Sequence, residues 1–191
     1  MESIIHNRYD KKIIEPFALS MIARSFNPKY SQYYSPKDPN NFDYLSNDVT
    51  KALEITVVVP ENEKQGMIYE KELAKGKHPV LERVGQAKIN EKGDLISYRG
   101  GSISEIRCMI RERLEEKNAK ALRRIETTSY KQVDLCICIV DGSLFDLFSF
   151  QLSFDDLHKY VFDNIFFVTP SHFIRYDKVN GFQEYERTIY E

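Results

Sequence analysis

The sequence predicts an α/β protein: a central mixed four-stranded sheet flanked by helices, with an inserted β-hairpin region. Three observations carry that expectation. Val133–Val140 and Ile165–Val168 are nearly continuous apolar runs, which mark strands buried on both faces. Two other segments space their apolar residues as helices do: Ile14, Phe17, Ala18, Met21 and Ile22 in the first, and Ile103, Ile106, Ile110, Leu114 and Ala121 in the second. In chain order the elements run helix, strand, strand, insertion, helix, strand, helix, strand.

The first helix is expected over Ile13–Phe26, with Pro16 in its first turn. A polar loop, Asn27–Asn41, follows, punctuated by Pro28, Pro36 and Pro39. Phe42–Ser46 and Ala52–Val59 read as two strands joined by a turn at Asn47-Asp48, and Pro60 stops the second. Residues 61–101 read as an insertion holding a short helix over Lys64–Lys75 and a hairpin, Arg83–Ile89 with Asp94–Tyr98. Ser102 and Glu105 form a capping box at the start of the strong helix Ser102–Arg124. Ser153 is expected to cap another helix through Phe162. Ile174–Asp177 and Phe182–Glu186 form a terminal hairpin around Val179-Asn180-Gly181.

Composition bounds the function. The 191 residues suit a single domain over 1–191, and the 42% hydrophobic content is enough for a core. A net charge of −2 gives no global attraction to a polyanion, so any nucleic-acid contact must use a local basic patch. No apolar run approaches the roughly 18 residues of a membrane span, and the first ten residues lack a signal-peptide shape. Cys108, Cys136 and Cys138 match no zinc framework and read as reduced core residues, which points to the cytoplasm. His6, His78, His158 and His172 have no metal-ligand spacing. A Gly-rich phosphate loop, a nucleophile elbow and an H-E-x-x-H motif are all missing. Gly100-Gly101 before Ser102 could form an anion nest or simply end the hairpin.

The chemistry concentrates at two acids. In Leu53–Val59 the side chains alternate, so Glu54, Thr56 and Val58 share one face while Leu53, Ile55, Val57 and Val59 share the other. A carboxylate in such a strand costs several kcal/mol unless something pairs with it. If Phe42–Ser46 pairs with this strand, Asp43 lies near Glu54. Two close carboxylates repel when ionised. A divalent ion with oxygen ligands, Mg²⁺ or Mn²⁺, removes that repulsion, and the Ile55 backbone carbonyl can supply a further ligand. The plainer alternative makes Asp43 a turn residue and Glu54 the partner of a surface lysine.

With Asp43 on one strand and Glu54-Ile55-Thr56 on the next, followed by a helix and a buried strand, the chain resembles the PD-(D/E)xK nuclease superfamily. The likeness covers about Ile13–Val168. It implies a restriction-endonuclease-like core and a metal-dependent nuclease acting on phosphodiester bonds in DNA. Asp43 and Glu54 would be the metal and catalytic acids, and Glu15 a further acid brought by the first helix. The family's lysine is replaced here by Thr56, which cannot supply its charge. Helical spacing offers Lys117, which falls on the inward stripe seven residues after Ile110. It either reaches the acidic site or snorkels out at the helix end. Lys120 and Lys51 are weaker substitutes. The loss of the family's lysine also keeps open a catalytically inactive relative, acting as a nucleic-acid- or protein-binding accessory subunit.

The segment Lys120–Arg124 is net basic and can hold phosphate. Tyr30, Tyr33, Tyr34 and Tyr44 are expected to flank the site, either stacking on bases or packing on their own domain. Near-neutral charge suggests that a homodimer or a partner protein helps to hold a polyanion.

Overall fold

The computed structural model describes residues 11–38, 40–60, 75–76, 88–89, 95–97, 102–139, 151, 153–169 and 172–185. The chain folds as α/β around a six-stranded mixed sheet flanked by helices. Helix α1 is Lys11–Ser25 and helix α2 is Ile103–Ile125. Strands β1 (Tyr44–Leu45), β2 (Lys51–Val58), β5 (Gln132–Ile139), β6 (Asn164–Val168), β7 (Phe173–Asp177) and β8 (Gly181–Tyr185) lie side by side in that order. A separate pair, β3 (Lys88–Ile89) and β4 (Leu95–Ser97), is antiparallel within the expected insertion. The expected Lys64–Lys75 helix and Gly100-Gly101 lie outside the described residues, apart from a turn at 75–76.

The strands β2, β5 and β6 are mutually parallel, with Glu54 beside Leu135 and Leu135 beside Ile165. Strand alternation then sorts every side chain to one of two layers. On one face Ala52, Val58, Leu135, Ile137 and Phe167 meet Ile106, Ile110 and Leu114 of α2. On the other, Leu53, Ile55, Cys136 and Phe166 meet Ile14, Ala18 and Ile22 of α1. Burying each such large apolar side chain stabilises the fold by about 1.5–3 kcal/mol. At the start of α2, Ser102 Oγ accepts from the Glu105 amide at 3.2 Å, as a capping box requires.

Four expectations need correction. The sheet has six strands rather than four, because the terminal hairpin does not stand apart. Phe173 and Ile174 are both buried, one on each face, and that two-sided burial draws β7 into the sheet against β6. The helix expected over Ser153–Phe162 is replaced by a 3-10 turn at Leu157–Lys159. Phe154, Leu157 and Tyr160 are buried at intervals of three, which suits the tighter turn. Pro16 lies in the body of α1 rather than its first turn. Finally, Cys108 is exposed on α2, because the residues that turn inward beside it are Ile106 and Ile110. Cys136 and Cys138 are core residues as expected. No helix among the described residues is long and apolar enough to cross a membrane.

Candidate functional site

Glu54 stands mid-strand on the α2 face and is 1% exposed. The stripe of α2 that packs on the sheet continues past Leu114 through Lys117, Ala121 and Arg124, and two of those three places are cationic. A helix brings residues three, four and seven apart onto one side. Three cations therefore converge on one carboxylate. Lys117 Nζ donates to Glu54 Oε1 at 2.8 Å, Lys120 Nζ to the same oxygen at 3.1 Å, and Arg124 Nη1 to Oε2 at 2.9 Å. The side chains of Lys117 and Arg124 are each 12% exposed, whereas Lys120 is 40% exposed. Burial by itself would raise the Glu54 carboxyl, but Lys117 and Lys120 outweigh it and hold the group below its ordinary value. Lys117 thus turns to the acid and does not snorkel out.

Asp43 immediately precedes the short β1, where the chain comes up to the edge of β2. Its Oδ2 accepts from the Ile55 amide at 2.8 Å. A strand residue directs its N–H and C=O to the same side, so the Ile55 carbonyl faces the edge at which Asp43 sits. Phe42 anchors this corner. It is buried, meets Tyr130 edge-on at 5.4 Å, and carries the Arg124 guanidinium 4.9 Å above its ring centre. Tyr130 also donates to Asn41 Oδ1 at 2.8 Å. The structure therefore sets Asp43 on the Ile55 amide, and gathers Lys117 and Lys120 on the neighbouring Glu54. Arg124, expected only as part of the phosphate-holding segment Lys120–Arg124 and not as a partner of Glu54, joins the cluster on Glu54. Extending the Ile110–Lys117 spacing by another seven residues would have found it.

Other candidates fall elsewhere. Glu15 is carried by α1 on the opposite face of the sheet, and Lys51 opens β2 on that same face. Tyr30 and Tyr44 are buried in the α1 layer, so these tyrosines pack on their own domain and do not flank Glu54. Tyr34 is exposed and bridges to Leu45.

A second buried acid escaped the sequence reading. Asp134 lies within the apolar run of β5 and is fully buried on the α1 face. Its Oδ2 accepts from the Tyr30 hydroxyl at 2.7 Å and Gln132 Nε2 at 2.7 Å. Its Oδ1 accepts from the Asn164 amide at 3.1 Å and Asn164 Nδ2 at 2.7 Å. Burial pushes this carboxyl up to about 6, against the lowering effect of those hydrogen bonds. Tyr30 is also raised, first by burial and then by the Asp134 charge. The argument that singled out Glu54, a lone acid in an apolar strand, applied equally to Asp134.

Among the described residues no group of three His, Cys, Asp or Glu side chains is arranged to hold a metal ion. Comparison with family models, curated proteins and solved structures found no match.

Proposed function

We propose that the chain is a metal-dependent nuclease hydrolysing phosphodiester bonds in DNA, built on a restriction-endonuclease-like core and centred on Asp43, Glu54 and Lys117. One observation carries the reading: Lys117 Nζ lies 2.8 Å from Glu54 Oε1, which gives the site the ammonium that Thr56 does not supply. By donor type the set suits Mg²⁺ or Mn²⁺, and an ion would have to displace a cation from Glu54, whose two oxygens Lys117, Lys120 and Arg124 hold. Mg²⁺ is commonly held by one or two carboxylates, with water and substrate phosphate completing its shell. Asp43, Glu54 and the Ile55 carbonyl are oxygen donors of that kind, and Lys120, the most exposed of the three cations, is the one that yields its place most easily. When bound, such an ion polarises the phosphoryl group and acidifies a water. The protein's own residues do the rest. Lys117 and Arg124 present fixed positive charge to the phosphate as charge develops on it. Phe42 holds Arg124 in position.

A second reading has its own observation. Both Glu54 oxygens are already engaged by three cations, so the cluster of Glu54, Lys117, Lys120 and Arg124 carries a net charge of about +2. Such a centre can hold phosphate without turning it over, as in an inactive accessory subunit. Both readings place the protein in the cytoplasm, where the unpaired Cys108, Cys136 and Cys138 stay reduced. Both also leave room for a homodimer or partner protein to extend the basic surface.

The test is a cleavage assay on supercoiled, linear duplex and single-stranded DNA with Mg²⁺, Mn²⁺ or chelator. Metal-dependent cleavage is expected. Asp43→Asn and Glu54→Gln should abolish it, and Lys117→Ala should slow it about 100-fold or more. Wild-type rates in both acid variants would refute the ligand assignment. Salt-sensitive DNA binding that Lys120→Ala weakens, with no cleavage in any metal, would establish the inactive reading.

A further inference from the structure

A cavity of about 470 Å³ opens on the α1 face, at the amino ends of β2, β5 and β6. It is separate from the Glu54 cluster, which occupies the α2 face. Three features make it a built site. Its aromatic wall is fixed: Tyr33 stacks on the buried Tyr30 with ring centres 4.8 Å apart, and Phe26 packs against Tyr30 at 6.1 Å. Its floor is polar and held in place from behind. Gln132 and Asn164 both donate to the buried Asp134, and Arg175 Nε donates to Asn164 Oδ1 at 2.7 Å. Gln132 uses its NH₂ on Asp134, which leaves its carbonyl oxygen uncommitted among the described residues. Finally, Lys29 and Lys51, both exposed, line the opening.

Charge at the opening is not one-sided. Asp48 also lines it: its Oδ1 accepts from Ser46, from the Thr50 amide and from the Thr50 hydroxyl, and the carboxylate stays ionised. Arg175 is committed, pairing with Asp177 at 2.9 Å and lying 4.4 Å from the centre of the Phe26 ring. Lys29 and Lys51 are the two cations at the opening with no ion pair among the described residues, and together they outnumber the single Asp48 charge beside them. Small-molecule sites span about 300–1,000 Å³ and combine an apolar wall with a few placed polar groups. A half-exposed tyrosine suits a planar base, the side-chain amides suit its hydrogen-bonding edge, and the two lysines suit a phosphate.

We propose that this cavity binds a nucleotide, with the base against Tyr33, its edge on Gln132 and its phosphate between Lys29 and Lys51. The nucleotide is either a free mononucleotide or one unit of a single strand. The site goes beyond the proposed nuclease centre and shares no residue with it.

Titration calorimetry on the full chain separates the outcomes. The probes are the four ribonucleoside 5′-monophosphates, ribose 5-phosphate, inorganic phosphate and a five-nucleotide single strand. At least one mononucleotide should bind more tightly than ribose 5-phosphate, and Tyr33→Leu and Lys51→Ala should each weaken it at least about fivefold. Binding of the pentanucleotide alone, weakened by the same two variants, supports the site with a strand as its source. The melting temperature of each variant verifies folding, and Lys51→Ala, at an exposed strand end, keeps the test open if Tyr33→Leu is damaged. Three results overturn the proposal: no probe binds, inorganic phosphate binds as well as any nucleotide, or neither variant weakens binding. Binding that Lys120→Ala removes belongs to the Glu54 cluster and also overturns it, while leaving the nuclease reading intact.

Discussion

Each face of the sheet buries an acid in its parallel strands, Glu54 on one and Asp134 on the other, and these two behave in opposite ways. Glu54, under α2, meets Lys117, Lys120 and Arg124 and is held below its ordinary value. Asp134, under α1, meets only neutral donors and rises to about 6. Burial opposes ionisation in both. The difference lies in what the neighbouring helix supplies: α2 puts cations on its inward stripe, whereas α1 puts Ile14, Ala18 and Ile22 there. A buried acid kept ionised by cations is suited to metal or phosphate chemistry. One satisfied by hydroxyl and amide groups is suited to fixing local structure.

The largest expected effect comes from removing the anion under α2. Glu54→Gln strands Lys117 and Arg124 in a largely buried setting and should cost about 3–5 kcal/mol. At about 2–4 °C per kcal/mol for a chain of this size, differential scanning calorimetry should show a fall of roughly 6–20 °C. Adding Lys117→Met should recover part of that loss, because one stranded charge is removed with it. A double variant less stable than Glu54→Gln would break the comparison.

The pH dependence follows next, and its two signs are opposite. The folded-state pKa of Asp134 is raised, so its contribution is complete below about 3.9, its unfolded value, and is lost as pH rises through about 6. Two pH units correspond to on the order of 3 kcal/mol. Urea unfolding of Asp134→Asn against wild type should therefore show the variant's relative stability climbing between pH 4 and pH 6.5. Glu54 is lowered, so its contribution is present above about 4.3 and is lost as pH falls through its depressed value. In Glu54→Gln the stability deficit should shrink in acid. A flat difference curve for Asp134→Asn would contradict the assignment.

A smaller effect is expected at Tyr30. Tyr30→Phe removes one of four donors to Asp134 and should cost about 1–2 kcal/mol in chemical denaturation. It should also move the pH-dependent loss upward, since that hydrogen bond lowers the acid. The smallest effect belongs to the exposed pair Arg113 and Glu116 on α2. Arg113→Ala should change stability by less than about 0.5 kcal/mol in the same assay, which sets the scale for a surface ion pair against a buried one.

Much of this contrast was legible in the residues. Alternation along Leu53–Val59 placed Glu54 on the correct face, and helical spacing brought Lys117 to it. The same rules were not carried far enough to reach Arg124 or Asp134, although both obey them. The remainder was not local information. Whether Phe173–Asp177 joins the main sheet depends on pairing with Asn164–Val168, which spacing within either segment does not encode. The turn at Leu157–Lys159 was obscured because apolar residues three apart suit a 3-10 turn as well as a helix. Tyr30 was placed beside the wrong acid because its partner lies 104 residues away.

The central claim is that Asp43 and Glu54, with Lys117 beside them, form a divalent-metal centre. Isothermal titration with Mn²⁺ tests it most directly, on wild type and on Asp43→Asn, where the melting temperature verifies folding. The account predicts one saturable site in the wild type and its loss in Asp43→Asn. No saturable binding in the wild type, or equal binding in both proteins, would contradict it.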